Sequence, residues 1–296
     1  MEEKKSLKKT VLMTAVIIIV LLAIGLYFQL SYNIIPTKER VVYIMPTNCP
    51  EQICNVDSLR TWVSDIGVDL GIYNSNYFAI PSALVFKSGE AIVVNTISKK
   101  AFTDDLCILL NVSNACKTFE SIIQKSDVVN VNSFTSLLSV NDIRLRLIAI
   151  NLKLALKDKV DIIPRFIIVS NLDDSGSVNV AEVEEAARQL CILQTQSSNW
   201  VQYSTCIDGS LLNNQWVQTT WQACAQSANV DVNNMNSCVA TNGIQLLKNE
   251  QNNVRQLKLT TSPVLFINND VYTSRFTFDA IKKTVCMYFS KKPEGC

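Results

Sequence analysis

The chain has 296 residues, a formal net charge of +1 and no histidine. That length suggests two domains of ordinary size, and the near-neutral charge supplies no field that would draw nucleic acid. Without histidine, Ser-His-Asp and Cys-His catalysis are excluded and the commonest zinc ligand is missing, which leaves cysteines, carboxylates, lysines and tyrosines as the reactive side chains.

Val11 to Phe28 is an apolar run broken only by Thr14 and Gly25. As a helix it would be roughly 27 Å long, enough to cross a bilayer core. Lys4, Lys5, Lys8 and Lys9 precede it, and only Lys38 and Arg40 follow closely. The positive-inside rule then predicts a cytoplasmic tail at 1–10, a signal anchor at 11–28, a polar stalk at 29–40 and an extracytoplasmic remainder. The rival is a cleaved signal peptide at Ala23-Ile24-Gly25. The apolar Leu26-Tyr27-Phe28 beyond that point favours the anchor. Either way the bulk lies at the cell surface, in a periplasm-like space or in a secretory lumen.

Residues 41–116 read as a first α/β domain. Strand Val41 to Met45 runs into a loop with Cys49, Pro50 and Cys54, and a helix starts near Asp57 with Leu59, Trp62, Val63 and Ile66 on one face. Val68 to Tyr73 is a second strand. Ile80-Pro81 then opens a hairpin of Ala83 to Phe86 and Ala91 to Asn95, and a helix carries Cys107, with Cys116 beyond it. Residues 117–165 are expected to be a helical connector, with Ile143, Leu147, Ile150 and Leu154 at helical spacing and Arg144, Arg146, Lys153 and Lys157 on other faces. A basic membrane-surface helix is the sharper alternative, but Asp142, Asp158 and Asp161 dilute its charge.

The second domain is expected over 166–296, opening with a strand from Phe166 to Val169. A helix follows from Val180 to Ile192. A helical insertion over about 181–252 then carries Trp200, Trp216 and Trp221, read as its core. Ser262-Pro263 opens a second hairpin, Val264 to Ile267 and Val271-Tyr272, before a helix with Cys286 and a final Cys296. The proline, hairpin and cysteine-helix layout thus occurs twice, which indicates internal duplication of one α/β unit.

All ten cysteines lie beyond the apolar run. An even count in an extracytoplasmic chain reads as disulfides. Neighbour pairing is the simplest connectivity: Cys49/Cys54, Cys107/Cys116, Cys191/Cys206, Cys224/Cys238 and Cys286/Cys296. The knuckle spacing of a zinc ribbon is missing, and Asp173-Asp174 lacks the register of a calcium loop, so no metal and no cofactor are expected. Asn111-Val112-Ser113 is a glycosylation sequon, a common signal.

With a Cys pair after the first strand and a proline opening the hairpin strand, the chain resembles the thioredoxin superfamily. The expected fold is α/β, with two tandem thioredoxin-like domains after the transmembrane helix and a disulfide-rich helical insertion in the second. From about Val183 to Cys296 it is similar to the helical-insertion members, the Dsb-type oxidases and lysosomal thiol reductases. It is most similar to the thioredoxin-like region of plant vacuolar sorting receptors. The matching residues are Arg188-Gln189-Leu190-Cys191, Cys206, Ala223-Cys224-Ala225, Val230-Asp231 before Cys238, Ser262 to Asn269, and Cys286 through Pro293 to Cys296.

The resemblance implies a thiol–disulfide oxidoreductase with Cys49 as nucleophile and Cys54 as resolving thiol. Ile80, Pro81, Ser262 and Pro263 would present strand edges to polypeptide substrates. Cys107, Cys116, Cys191, Cys206, Cys224, Cys238, Cys286 and Cys296 would be structural bridges. Two departures weigh against a simple transfer. The first pair is spaced C-x₄-C rather than C-x₂-C, and Ser170 to Gly176, the expected redox position of the second domain, holds no cysteine. The competing readings are a redox-inactive receptor or adaptor that binds polypeptide cargo, and a structural envelope protein. Polypeptides, a redox partner protein and the membrane are the expected partners, and nucleic acid is not.

Overall fold

The order of apolar strands and amphipathic helices in this chain produces two four-stranded mixed sheets. The computed structural model describes residues 40–46, 56–75, 82–87, 90–94, 98–168, 180–215 and 219–296. Anchor residues 11–28, Cys49, Cys54, Ile80, Pro81, Ser170 to Gly176 and Trp216 lie outside them. Among the described residues no helix is long and apolar enough to cross a membrane. The chain divides into two units, Met1–Phe102 and Thr103–Cys296.

In the first unit β1 (Arg40–Pro46) is central. It pairs in parallel with β2 (Asp69–Ser75) and antiparallel with β3 (Ser82–Lys87), and β3 forms a hairpin with β4 (Glu90–Val94), giving the order β2-β1-β3-β4. Helix α1 (Asp57–Ile66) links the parallel strands and buries Leu59, Val63 and Ile66, the face that the sequence spacing marks. Asp57 occupies its first turn, and Val56, not Asp57, stands at the N-cap. Gly67 ends α1 at φ 68°, and its N–H is given to the carbonyls of Ser64 and Val63. A side chain would strain this left-handed cap, so glycine belongs there.

Helix α2 (Lys99–Leu110) carries the chain into the second unit, and α3 (Ser113–Ile122) follows it. The sequence reading closed the first domain at Cys116. Instead, Cys107 and Cys116 belong with the second unit, where Cys107 Sγ lies 3.9 Å from the Met287 sulfur and Lys283 Nζ donates to the Cys107 carbonyl at 2.9 Å.

The stretch 117–165 is not a helical connector. It contains β5 (Val129–Thr135), α4 (Val140–Leu156) and β6 (Val160–Phe166). β5 is the central strand of the second sheet, parallel to β6 and antiparallel to β7 (Val264–Ile267), which turns into β8 (Asp270–Tyr272). The order β6-β5-β7-β8 repeats that of the first sheet. Phe166 therefore closes a strand instead of opening the unit. The alternation in Val129-Asn130-Val131-Asn132 is a strand signal that the polar partners obscured. Within α4, Ile143 and Ile150 are buried as expected, but Leu154 is 62% exposed and Arg146 is fully buried.

Between β6 and β7 the chain forms α5 (Val180–Thr195), α6 (Ser197–Leu212), α7 (Thr220–Ser227) and α8 (Val232–Gln256), and α9 (Phe278–Met287) follows the hairpin. The inserted helices have their own core, which includes Cys191, Trp200, Tyr203, Ile207, Cys224, Met235 and Cys238. A second cluster joins them to the sheet through Phe166, Ala187, Leu190 and Leu247. α8 packs on α5 at Gly243, where a Cβ would make ordinary contact with the Ala187 Cβ at 3.6 Å. Among the described residues the bridges are Cys107–Cys116, Cys191–Cys238, Cys206–Cys224 and Cys286–Cys296. Neighbour pairing fails in the insertion because Cys191 on α5 bonds Cys238 on α8, while Cys206 on α6 bonds Cys224 on α7. The two insertion bridges are nested.

Loop length predicts their relative weights. Replacing Cys191 and Cys238 by alanine should cost about 4 kcal/mol, and replacing Cys206 and Cys224 about 3 kcal/mol, by the chain-entropy relation. Peptide mapping without reduction should recover 191–238 and 206–224 links and no 191–206 link.

Candidate functional site

In both sheets the strand that follows the central strand's helix is parallel to it, and a hairpin strand lies on its other side. The turn leaving the C-terminal end of the central strand is therefore the position at which the resemblance implies redox chemistry. In the second unit this turn is Ser136-Leu137-Leu138-Ser139, between β5 and α4, and not Ser170 to Gly176. The conclusion drawn from the sequence, that no cysteine stands there, applies to the new position as well.

What occupies that place is a buried charge network. Arg146, nearly two turns into α4, has a side chain with no exposed surface. Its Nε and Nη2 donate to the Asp208 carboxylate at 3.1 and 2.6 Å. Its Nη1 donates to the Ser136 carbonyl at 2.6 Å and to Thr135 Oγ1 at 3.3 Å, and its Nη2 also donates to the Leu137 carbonyl at 3.1 Å. Two carboxylates take the N–H groups of the same turn. Asp142 Oδ1 accepts from Ser136 N at 2.9 Å, and Glu182 Oε1 accepts from Leu137 N at 3.3 Å. The turn's backbone is thus held on its donor and acceptor sides by groups from α4, α5 and α6. Burial pushes the carboxyl groups of Asp208 and Glu182 up, and the Arg146 charge opposes that rise in both.

The outward surface of the turn is apolar. Leu138 is 44% and Val140 51% exposed. Ser262 is exposed and Pro263 half-buried, with a cis peptide bond between them. Pro263 immediately precedes Val264, which pairs with Phe134 at the end of β5. The hairpin proline and the β5–α4 turn therefore meet at one end of the sheet. In the first unit Ser82 pairs with Ile44; Pro81 precedes Ser82 in sequence, and residues 47–55, which include Cys49 and Cys54, follow β1. Their own geometry is outside the described residues.

A second buried polar group surrounds Asp104. Thr284 Oγ1 donates to Asp104 Oδ1 at 3.2 Å, and Asp105 is buried beside it. Burial, reinforced by the Asp105 charge and opposed by the Thr284 hydroxyl and Lys283, pushes Asp104 up to about 7. In the insertion, Glu185 is raised by burial while it accepts from Arg188 Nε at 3.0 Å, Gln189 Nε2 at 3.3 Å and Tyr203 OH at 3.2 Å. No group of metal-ligating side chains is gathered among the described residues.

The sequence reading assigned none of these charged groups a role. Asp142 and Arg146, four apart on one helix, were the only local signal available. Asp208 and Glu182 reach the site from helices whose packing no local pattern specifies.

No protein-family model matches the chain, and no curated protein matches it. Solved structures similar to it include oxidised BdbD from Bacillus subtilis, at 10% identity over 55% of this chain and 89% of that one, with a TM-score of 0.44. The thiol-disulfide exchange protein alpha-DsbA2 from Wolbachia pipientis is 13% identical over 64% and 98% of the two chains, with a TM-score of 0.42. MdbA, a thiol-disulfide oxidoreductase from Corynebacterium matruchotii, is 14% identical over 53% and 83%, with a TM-score of 0.43.

Two outcomes follow from this geometry. Arg146→Met strands the Asp208 carboxylate and two carbonyls in the interior and should cost about 3–5 kcal/mol in a urea unfolding series. For Asp104 the folded carboxyl holds its proton to about pH 7 while the unfolded one loses it near its ordinary value of 3.8. Stability should therefore fall as pH rises through that window, by at most about 1.4 kcal/mol per pH unit from this group. Asp104→Asn keeps the oxygen facing Thr284 and should flatten that slope.

Proposed function

We propose that the protein is a membrane-anchored, extracytoplasmic thiol–disulfide oxidoreductase with two tandem thioredoxin-like domains. The first carries the Cys49/Cys54 couple, and the second is a redox-inactive domain that binds polypeptide. The reading is supported by the shared strand order of the two sheets, in which residues 47–55 follow β1 in sequence as the β5–α4 turn follows β5. One of those loops contains two cysteines and the other contains none.

In this reading Cys49 thiolate attacks a substrate disulfide. The substrate S–S bond breaks, a mixed disulfide forms, and one substrate sulfur leaves as thiolate. Cys54 then displaces the second substrate sulfur and closes the Cys49–Cys54 bridge, so the substrate is reduced and the enzyme oxidised. The reverse sequence oxidises a dithiol. Ile80-Pro81 and Ser262-Pro263 would each offer a strand edge to an extended polypeptide. The apolar Leu138 and Val140 beside the second proline suit that role.

The alternative is a polypeptide-binding receptor whose bridges are all structural. It is favoured by the sealed β5–α4 turn and by the buried staples of the insertion.

Disulfide reduction in insulin separates the two. The wild-type chain should reduce insulin with a dithiol donor. Cys49→Ser should abolish the activity, and Cys54→Ser should accumulate a mixed disulfide. Activity unchanged in Cys49→Ser would end the catalytic assignment. A receptor should show no thiol with a pKa well below about 8.5 after mild reduction.

A further inference from the structure

An open groove of about 260 Å³ crosses the second sheet on the face opposite Val131, Ser133 and Thr135. Register fixes which residues share that face: Phe134 pairs with Arg165 and Val264, and Asn132 with Phe266. Phe134 and Phe266 pack edge to face, with centroids 5.6 Å apart and planes at 68°; Phe134 is only 4% exposed, so the half-buried Phe266 supplies the accessible aromatic surface. The last turn of α8 closes one side with Leu257, which is 47% exposed.

The polar lining decides the ligand class. Four carboxamides, those of Asn132, Asn253, Gln256 and Asn269, line the groove, together with Arg165 and without a carboxylate. Each carboxamide offers both donors and an acceptor. The Arg165 charge is already answered, since its Nη1 donates to Glu250 Oε1 at 2.8 Å, and Glu250 Oε2 accepts from Phe166 N at 3.1 Å. An anion would compete with a carboxylate held from two directions. A purely apolar molecule would desolvate four amides without replacing their hydrogen bonds. A ligand that meets both demands is uncharged, carries donors and acceptors around its rim and has an apolar C–H face to lie on phenylalanine. The volume lies at the small end for ligand clefts and suits one ring, not a chain.

We propose that this groove binds a single neutral sugar residue, either free or at the end of a protein-borne glycan. The site is independent of Cys49/Cys54 and of the proposed redox activity. Its test is saturation-transfer NMR on the full chain in a non-glycosidic detergent, with methyl α-D-glucopyranoside and N-acetyl-D-glucosamine as probes. Saturable binding near 1 mM in order of magnitude is expected for at least one probe, with the strongest transfer to ring C–H protons.

Gln256→Leu, at an exposed position, and Asn132→Val should each weaken binding about tenfold with the thermal midpoint retained. No saturable transfer from either sugar overturns the proposal, as does binding that survives both substitutions. Binding of benzoate instead, lost in Arg165→Gln, also overturns it, since the groove would then be an anion site. Once a sugar binds, retention of a glycoprotein but not its deglycosylated form on the immobilised chain assigns the protein-borne source. Retention of neither assigns the free sugar.

Discussion

The second unit depends on the Arg146 guanidinium, which spends all of its N–H donors inside the protein. Moving such a charge out of water costs several kcal/mol even after relaxation, and a single counter-ion returns that only when the geometry is good and the other donors are satisfied. Asp208 supplies the counter-ion, while Thr135, Ser136 and Leu137 take the remaining donors. The arrangement ties the end of the central strand, the start of α4 and the middle of α6 to one point. Asp142 and Glu182 complete it by accepting the turn's N–H groups. A turn held in this way has its backbone hydrogen bonds committed, which suits a fixed binding surface better than a loop that must admit a reacting disulfide.

That constraint gives the two sheets different characters despite their common strand order. In the second, the position between central strand and helix is closed from within by charges and covered outside by Leu138 and Val140. In the first, the segment between β1 and α1 is longer in sequence and contains Pro50 and both Cys49 and Cys54. The two units differ in sequence at one topological location. Their strands do not distinguish them.

Much of the fold was legible in local pattern. The α1 face, both hairpins, the start of α5 at Val180 and the strand Val264–Ile267 follow from periodicity and turn residues, and the structure has them where the sequence put them. The central strand was not legible. Polar Asn130, Asn132, Ser133 and Thr135 interrupt its apolar positions, and the reading passed over it to the more uniformly apolar Phe166 to Val169. Missing β5 displaced the second unit's expected start and with it the expected site. Arg146 falls off the apolar face of the helical pattern; burying an arginine requires a partner, and its partner is sixty-two residues away. The insertion's bridges failed for the same reason, since pairing by neighbourhood ignores which helices pack together.

The nested bridges connect these observations. Cys206 lies half a turn before Asp208 on α6, and its bond to Cys224 pins that stretch to α7. Cys191 and Cys238 join α5, which supplies Glu182, to α8, which supplies Glu250 to the backbone of β6. Each carboxylate that reaches the sheet from the insertion therefore belongs to a helix with a covalent tether. A carboxylate offered by an untethered helix would lose conformational entropy on docking and would have to recover that loss from the ion pair itself. Tethering places the loss in the formation of the bridge, so the buried charges can meet in fixed positions. Such bridges persist in oxidising compartments and are reduced in cytosol. Reduction of the two bridges would loosen the helices that carry Asp208, Glu182 and Glu250, and the β5–α4 turn would lose its anchors with them.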